Sequence, residues 1–478
     1  MQLPPKLDKS PLWQRLTWII DPVKFFETVA RQHPDLCEVK TIGFGKEYIL
    51  VNHPEAIKEI LSSNRQKLFA SSKNNNILRP VVGDRSVMLL EGNPHRQRRK
   101  LLMPPFHGER MATYSRTIVE LTNEAFGGLS SGETFTARDL AQDISLQTIL
   151  RVVYGMSDSD RPNGIAESEG LAWQTQRAQQ LKPLISEMAD VFRSPLTSAL
   201  LFFPWLQQDW GAWSPWGYFL RTQRAIDKLI YAEIADRREQ DNIHGEDIFS
   251  MLMSARDEAG QPMSDRELRD ELMSLMFAGH ETTATAIAWA LYWVHYLPEV
   301  KARLLEEIAS LGTSPEPMAI AKLPYLDAVC KETLRIYPVA MLTFARVVQQ
   351  PMQLLGYDLE PGLVLMGNIF SVHQREDIYP DAKQFKPERF LEREFTSGEF
   401  VPFGGGARRC IGEALANFEL RLVLATVVSR YQLTLFSDRP EKPQRRGVTL
   451  SPAGGVKMQF QGMKTFAPGE KVSNLAVQ

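Results

Sequence analysis

Cysteine is scarce in this chain: 478 residues hold three, Cys37, Cys330 and Cys410, far apart in sequence. Isolated thiols argue against a disulfide framework and suit a reducing compartment. No CxxC pair is present to hold zinc. Long apolar runs are missing as well, and nothing approaches the roughly 18 uninterrupted residues needed to span a bilayer. Lys6, Asp8 and Lys9 precede the first apolar segment and no small-residue cleavage site follows, so no secretory signal is expected. Charge of one sign is lacking too: the net value is −2, which provides no field for nucleic acid or an acidic membrane. There is no internal repeat, no low-complexity tract and no linker. The expectation is a cytoplasmic monomer folded as one unit over residues 1–478.

What is present suits a large core, since 44 % of residues are apolar. Residues 1–35 read as an N-terminal strap, whose short amphipathic segment Trp13–Ile20 packs on the surface or presents a membrane-contacting face. Leu36 to Ile42, a turn at Gly43 to Lys46, and Glu47 to Asn52 predict a hairpin. From His53-Pro54 to about residue 340 the pattern is helical, with amphipathic runs near 94–106, 110–127, 139–155 and 218–240. The longest helix starts at Ser264, where Ser264 and Glu267 form a capping box, and runs to Leu297 before Pro298. Its stretch Leu272 to Ala290 is apolar nearly all round, so it should cross the core. After residue 340 short β-prone runs take over, until a last long helix from about Cys410 to Tyr431. Residues 463–478 read as a frayed tail. The fold class is mainly α with a smaller β-rich portion.

Phe403-Gly-Gly-Gly-Ala-Arg-Arg-Cys410-Ile-Gly412 is the most informative stretch. Its glycines, Gly404 among them, let backbone pack close to a flat ligand. A cysteine at a helix start is favoured as thiolate by free N–H groups and the helix dipole. Arg408 can place a cation near a carboxylate of the same ligand, and Gly412 leaves room. A phosphate loop would need GK[ST] or GxGxxG spacing, and neither is present. The second motif, Ala278-Gly-His-Glu-Thr-Thr283, is no HExxH zinc site, because residue 284 is alanine. Within a buried helix it makes sense if a small polar ligand lies against Gly279, Thr282 hydrogen-bonds it, and Glu281 supplies protons through water. The plain alternative is a threonine bonded back to its own helix beside an incidental glutamate.

The cysteine loop resembles the haem-binding signature of the cytochrome P-450 superfamily, F-G-x-G-x-R-x-C-x-G, without a departure. The helix motif resembles the family's oxygen-activation element, [AG]-G-x-[DE]-T-[TS]. Glu332-Thr-Leu-Arg335 and Phe385-Lys-Pro-Glu-Arg389-Phe resemble its E-x-x-R and P-E-R-F elements, which implies a buried structural triad of Glu332, Arg335 and Arg389. The resemblance covers almost the whole chain. It implies haem b with Cys410 as axial ligand to iron, whose thiolate favours O–O cleavage. It implies Glu281 and Thr282 as the proton-delivery pair, with Thr283 secondary. Phe403 and Gly404 would lie against the haem. His95, Arg99, Arg346 and Arg408 would hold its propionates, giving three cations and a histidine for two carboxylates. Many members have tryptophan where His95 stands.

By the same resemblance the protein is a monooxygenase that uses O₂ and two electrons from a separate ferredoxin or flavodoxin. Arg98, Lys100 and Arg409 would steer such an acidic carrier. A haem-thiolate isomerase or peroxygenase, and a haem carrier without turnover, remain alternatives; the intact Glu281–Thr282 pair favours the monooxygenase. Ile77, Leu78, Phe277, Ala278, Ala340, Leu342 and Leu450 correspond to the family's pocket wall, or belong to the core. Their apolar character suits a lipophilic substrate. The motif wording is closer to the lipid-oxidising branches than to the small-terpene branch, so a fatty acid comes first, ahead of a terpenoid or steroid. Arg79 or Lys73 could hold its carboxylate at the pocket mouth.

Overall fold

The computed structural model describes residues 2–464 apart from 44–46, 64–66, 107, 109, 156–168, 212, 240–246, 258–259 and 313–314. Its axis is the helix Asp265–Tyr296. Ser264 and Glu267 cap it reciprocally, with Ser264 N–H donating to Glu267 Oε2 at 3.0 Å. Leu297 ends it and the next helix, Pro298–Ala309, follows at once, because proline tolerates the first helical position, where no N–H is needed. The predicted all-round apolar stretch is buried on most faces, and the helix packs against Ala137–Tyr154, Pro324–Ile336 and Glu413–Arg430. An element with neighbours on all sides has no solvent face to fill with charge. One large cluster of buried side chains runs from Leu7 to Phe460, and a smaller one lies around Ile49, Val51 and Leu365.

The hairpin forms with shorter strands than expected, Leu36–Val39 and Tyr48–Val51. Tyr48–Val51 then pairs in parallel with Val364–Gly367, which pairs antiparallel with Arg346–Val348, and Leu68–Phe69 closes the sheet. A separate hairpin, Pro443–Arg446 with Thr449–Pro452, reaches back to the long helix. The expected strap is two helices, Pro11–Ile20 and Pro22–Gln32. Trp18 is fully buried against the edges of Phe25, Phe26 and Phe202, while Leu12, Leu16 and Ile20 point outward.

Two expected boundaries need correction. The last long helix is Glu413–Arg430, capped by Gly412, so Cys410 precedes it instead of starting it. The frayed tail does not begin at residue 463: the strand Lys457–Met463 pairs through Met463, and Lys464 N–H donates to the Arg430 carbonyl at 2.8 Å. Residues 465–478 lie outside the described residues.

Candidate active site

The cysteine loop is folded against the helix Pro54–Ser62. Gly404 and Gly406 have φ of +66° and +61°, and a Cβ on Gly406 would lie 2.0 Å from the Leu61 carbonyl oxygen. A side chain there would break both the turn and the packing. Cys410 N–H donates to the Phe403 carbonyl at 3.0 Å, closing the loop. Cys37 and Cys330 are buried, whereas Cys410 is exposed. A Cβ on Gly412, two residues further on, would meet nothing within 4 Å, so open space lies along the loop after Cys410.

A partly open face interrupts the otherwise buried long helix at Leu275, Phe277, Ala278, Gly279 and Thr282. Thr282 Oγ1 donates to the Ala278 carbonyl at 2.6 Å. That is the back-bonded threonine, and it leaves the oxygen lone pairs free to accept. Thr283 is buried. The glycine has another role than expected: a Cβ on Gly279 would meet Ile149 at 3.1 Å. Its lack of a side chain therefore serves the close approach of the helix Ala137–Tyr154.

Glu281 is turned away from open space. Its Oε1 accepts from Arg138 and from Arg446 Nε at 3.0 Å, and Arg446 also reaches Asp190 at 2.6 Å. Burial alone would raise its pKa, but the two guanidiniums outweigh that and hold the carboxyl below its usual range. Its Oε2 is buried with no partner among the described residues. His280 Nδ1 lies 3.1 Å from the Met276 carbonyl, and burial lowers its pKa, so it is neutral.

Of the four residues expected at the propionates, Arg408 lies on the cysteine loop, Arg99 contacts that loop, and Arg346 and Arg408 both approach Phe344. Arg99 Nη1 donates to the Arg409 carbonyl at 2.5 Å, tying its helix, Gly92–Leu102, to the cysteine loop. His95, one turn earlier, is buried. Arg408 donates to the Val87 and Leu90 carbonyls at 2.9 and 2.5 Å and lies 5.9 Å from the Phe344 ring. Arg346 is 5 % exposed, donates to the Phe344 carbonyl at 3.0 Å, and has no carboxylate partner among the described residues. Burial pulls its pKa down to about 10. A buried cation without a counter-charge is costly, and a bound group with its own carboxylates would relieve it. Exposed thiol, open space and unpaired cation together fit haem.

Glu332, Arg335 and Arg389 form one buried ion-pair network. Glu332 accepts from Arg335 at 2.7 and 2.8 Å, from Arg389 at 3.1 Å and from Lys386 N–H at 2.8 Å. Of the pocket residues, Ile77, Leu78, Ala340 and Leu342 line a cavity shared with Trp18, Phe202, Phe344 and Arg445. Phe277 and Ala278 lie on the open helix face, while Leu450 is fully buried and its carbonyl accepts from Trp289 Nε1 at 3.1 Å.

Three charge expectations fail. Arg79 pairs with Asp84 at 2.9 Å and Lys73 is exposed, and neither lines the cavity. Arg98 is no solvated docking cation: it is buried between Glu267 and Glu271 at 2.8 and 2.7 Å. Sequence reasoning also missed Arg138, Arg445 and Arg446. The run Gln444-Arg-Arg-Gly447 carried a signal, two charges in a short strand, but strand alternation alone does not say which of two successive residues faces a carboxylate.

Residues 4–460 match the family model for cytochrome P450. The chain belongs to the cytochrome P450 family. It is 31 % identical over 465 residues to cytochrome P450 135B1 of Mycobacterium tuberculosis, covering 97 % of this chain and 92 % of that one. Cytochrome P450 138 of the same species is 29 % identical, covering 96 % of both. Among solved structures, retinoic acid bound cyanobacterial CYP120A1 superposes with a TM-score of 0.79 at 22 % identity, covering 97 % of this chain and all of that one. The haem domain of cytochrome P450DA gives 0.78 at 19 %, covering 97 % and 98 %. This cytochrome P450 is accordingly an oxidoreductase, a monooxygenase that binds haem b through a cysteine thiolate and uses O₂ and a redox partner. Among the described residues, no helix is long and apolar enough to cross a membrane.

Proposed function

We propose that Cys410 would supply the thiolate that holds the haem iron and that the enzyme hydroxylates a fatty acid, with electrons from a separate ferredoxin or flavodoxin. The observation that carries the ligand assignment is the contrast among thiols: Cys410 alone of the three is exposed, with open space after it at Gly412, and it lies near Arg99. Haem, when bound, supplies oxygen activation and accepts the two electrons. Arg346, Arg408, Arg99 and His95 would hold its carboxylates. Thr282 offers a fixed acceptor on the open helix face and positions a proton-bearing water there. Glu281 stores its charge in the Arg138–Arg446 pair and reaches Thr282 only after rotating out of it.

The cavity wall of Ile77, Leu78, Leu342 and Phe202 favours an apolar chain and excludes water around it. The CYP120A1 neighbour has retinoic acid bound, a lipid that ends in a carboxylate, which supports testing acidic amphiphiles first. The exposed Leu12, Leu16, Ile20, Trp205, Trp210 and Trp213 support peripheral contact with a membrane, from which such substrates would be drawn.

Two measurements test this reading. Cys410→His should abolish the red-shifted Soret band of the reduced carbon monoxide complex, since thiolate donation produces it; a persisting band in folded variant overturns the assignment. Medium- and long-chain fatty acids should shift the resting enzyme from low to high spin at micromolar concentration. If none does while a neutral sesquiterpene does, the fatty-acid reading is wrong.

A further inference from the structure

Among the described residues nine arginines are buried, and seven of them pair with a carboxylate: Arg98, Arg138, Arg237, Arg269, Arg335, Arg389 and Arg446. Two do not, among the described residues. Arg346 is accounted for as an expected propionate contact. Arg445 is left over.

Arg445 is 1 % exposed and lies in the strand Pro443–Arg446 opposite Leu450. Its guanidinium lies 4.1 Å from the Trp18 ring and 5.2 Å from that of Phe202. Of five N–H donors, one goes to the Trp18 carbonyl at 2.8 Å, and Nε is buried without a partner. Tyr48, whose hydroxyl accepts from Thr41 at 2.8 Å, is the ionisable neighbour, and its own burial keeps it neutral. Burial pulls the Arg445 pKa down to about 9, and Tyr48 offsets this only in part. Stacking on two aromatic rings stabilises a cation but leaves its in-plane donors unused.

Arg445 itself lines the cavity described above. Arg445 is the one charged residue of its wall, and the rest is Trp18, Ile77, Leu78, Phe202, Leu342 and similar apolar groups, with Asn75 and Thr343. At about 140 Å³ the cavity is smaller than a typical ligand site of roughly 300–1,000 Å³, so it holds one end of a substrate. Its lining includes Phe344, whose ring lies 5.9 Å from Arg408 of the cysteine loop. A chain anchored at Arg445 therefore runs along apolar wall toward the candidate active site.

We infer that Arg445 is the specificity-determining anchor for the carboxylate of an acidic lipid. This rests on the reading of the cavity as a lipid site and deepens it, replacing Arg79 and Lys73 as the source of charge recognition. A carboxylate would take two parallel N–H bonds from the guanidinium in a low-dielectric pocket. An alcohol or ester would leave the charge unpaired. Charge-assisted bonds of this kind discriminate by roughly 10- to 100-fold.

The test uses the haem-loaded enzyme with dodecanoic acid, methyl dodecanoate and dodecanol, read both by spin shift and by calorimetric Kd. The unmodified enzyme should bind the acid at least about 10-fold tighter than either neutral analogue. Arg445→Gln should remove that preference and leave the ester Kd within about threefold, and Arg445→Lys should retain part of it. If Arg445 only clamps Trp18, the Gln variant weakens all three ligands alike, which overturns the inference. Should that variant not fold, the unmodified enzyme decides: equal affinities for acid and ester overturn the anchor while the lipid-site reading stands. If no member of the series binds, both fall.

Discussion

Glu419 gives the cytochrome P450 a pH-dependent stability that can be worked out in sign and size. It is 2 % exposed in the helix Glu413–Arg430, and its Oε1 has no partner among the described residues. The Ser145 hydroxyl that favours its charged form also donates to the Gly279 carbonyl at 3.2 Å. Burial dominates and pushes the carboxyl from 4.5 up to about 8. The folded protein therefore keeps a proton that the unfolded chain releases. The stability tied to that proton is fully present below about pH 4.5 and is lost as pH rises through about 8. The full separation corresponds to a ceiling of roughly 5 kcal/mol, of which about 3 falls between pH 5.5 and 9. For a chain of this size the unfolding entropy is roughly 1 kcal/mol per kelvin, so the effect is about 3 °C. Glu419→Gln keeps the shape and cannot ionise. Its Tm relative to the parent should rise by about that amount from pH 5.5 to pH 9, measured by scanning calorimetry on haem-loaded protein. A Tm difference that stays constant across that range would refute the argument.

Thr282→Ala should keep haem and lipid binding but divert electrons to peroxide, lowering product per NAD(P)H by on the order of 10²-fold; Thr283→Ala should do less, and equal coupling in both would remove the role. Glu332→Gln leaves Arg335 and Arg389 buried without a counter-charge, so it should cost roughly 3–5 kcal/mol and lower the unfolding temperature by several degrees; an unchanged transition contradicts the triad. Reduction by an acidic carrier should slow with added salt and with Lys100 changed to alanine, and less with Arg409, which is exposed but already paired with Glu413 at 2.5 and 2.7 Å; the buried Arg98 should not count as a docking charge. Rates indifferent to salt and to both substitutions exclude that face.

The elements defined by local chemistry were legible in the sequence. The Ser264–Glu267 box and Pro298 bound the long helix within a residue, because caps and proline act over one turn. The site motifs were legible because glycine, cysteine and threonine in fixed order admit few uses. What was hidden depends on distant partners. Arg98 reads as part of a basic surface run until Glu267 and Glu271, some 170 positions later, close over it. Glu281 reads as a free acid until Arg138 and Arg446 arrive from both sides of the sequence. Arg445 and Arg446 are adjacent and alike in type, yet one meets two carboxylates and the other two aromatic rings. No local pattern separates them.

The parallel pairing of Tyr48–Val51 with Val364–Gly367 also sets a timetable for biosynthesis. All four residues of the earlier strand end up buried, yet its partner is more than 300 residues downstream. At about 5–20 residues per second, a ribosome delivers that partner roughly 15–60 s later. For that interval the hairpin presents Ile49, Leu50 and Val51 on an unpaired edge, a ready template for pairing with other nascent chains. Cover over the N-terminal strands until residues 364–367 emerge would keep that edge from pairing with other chains.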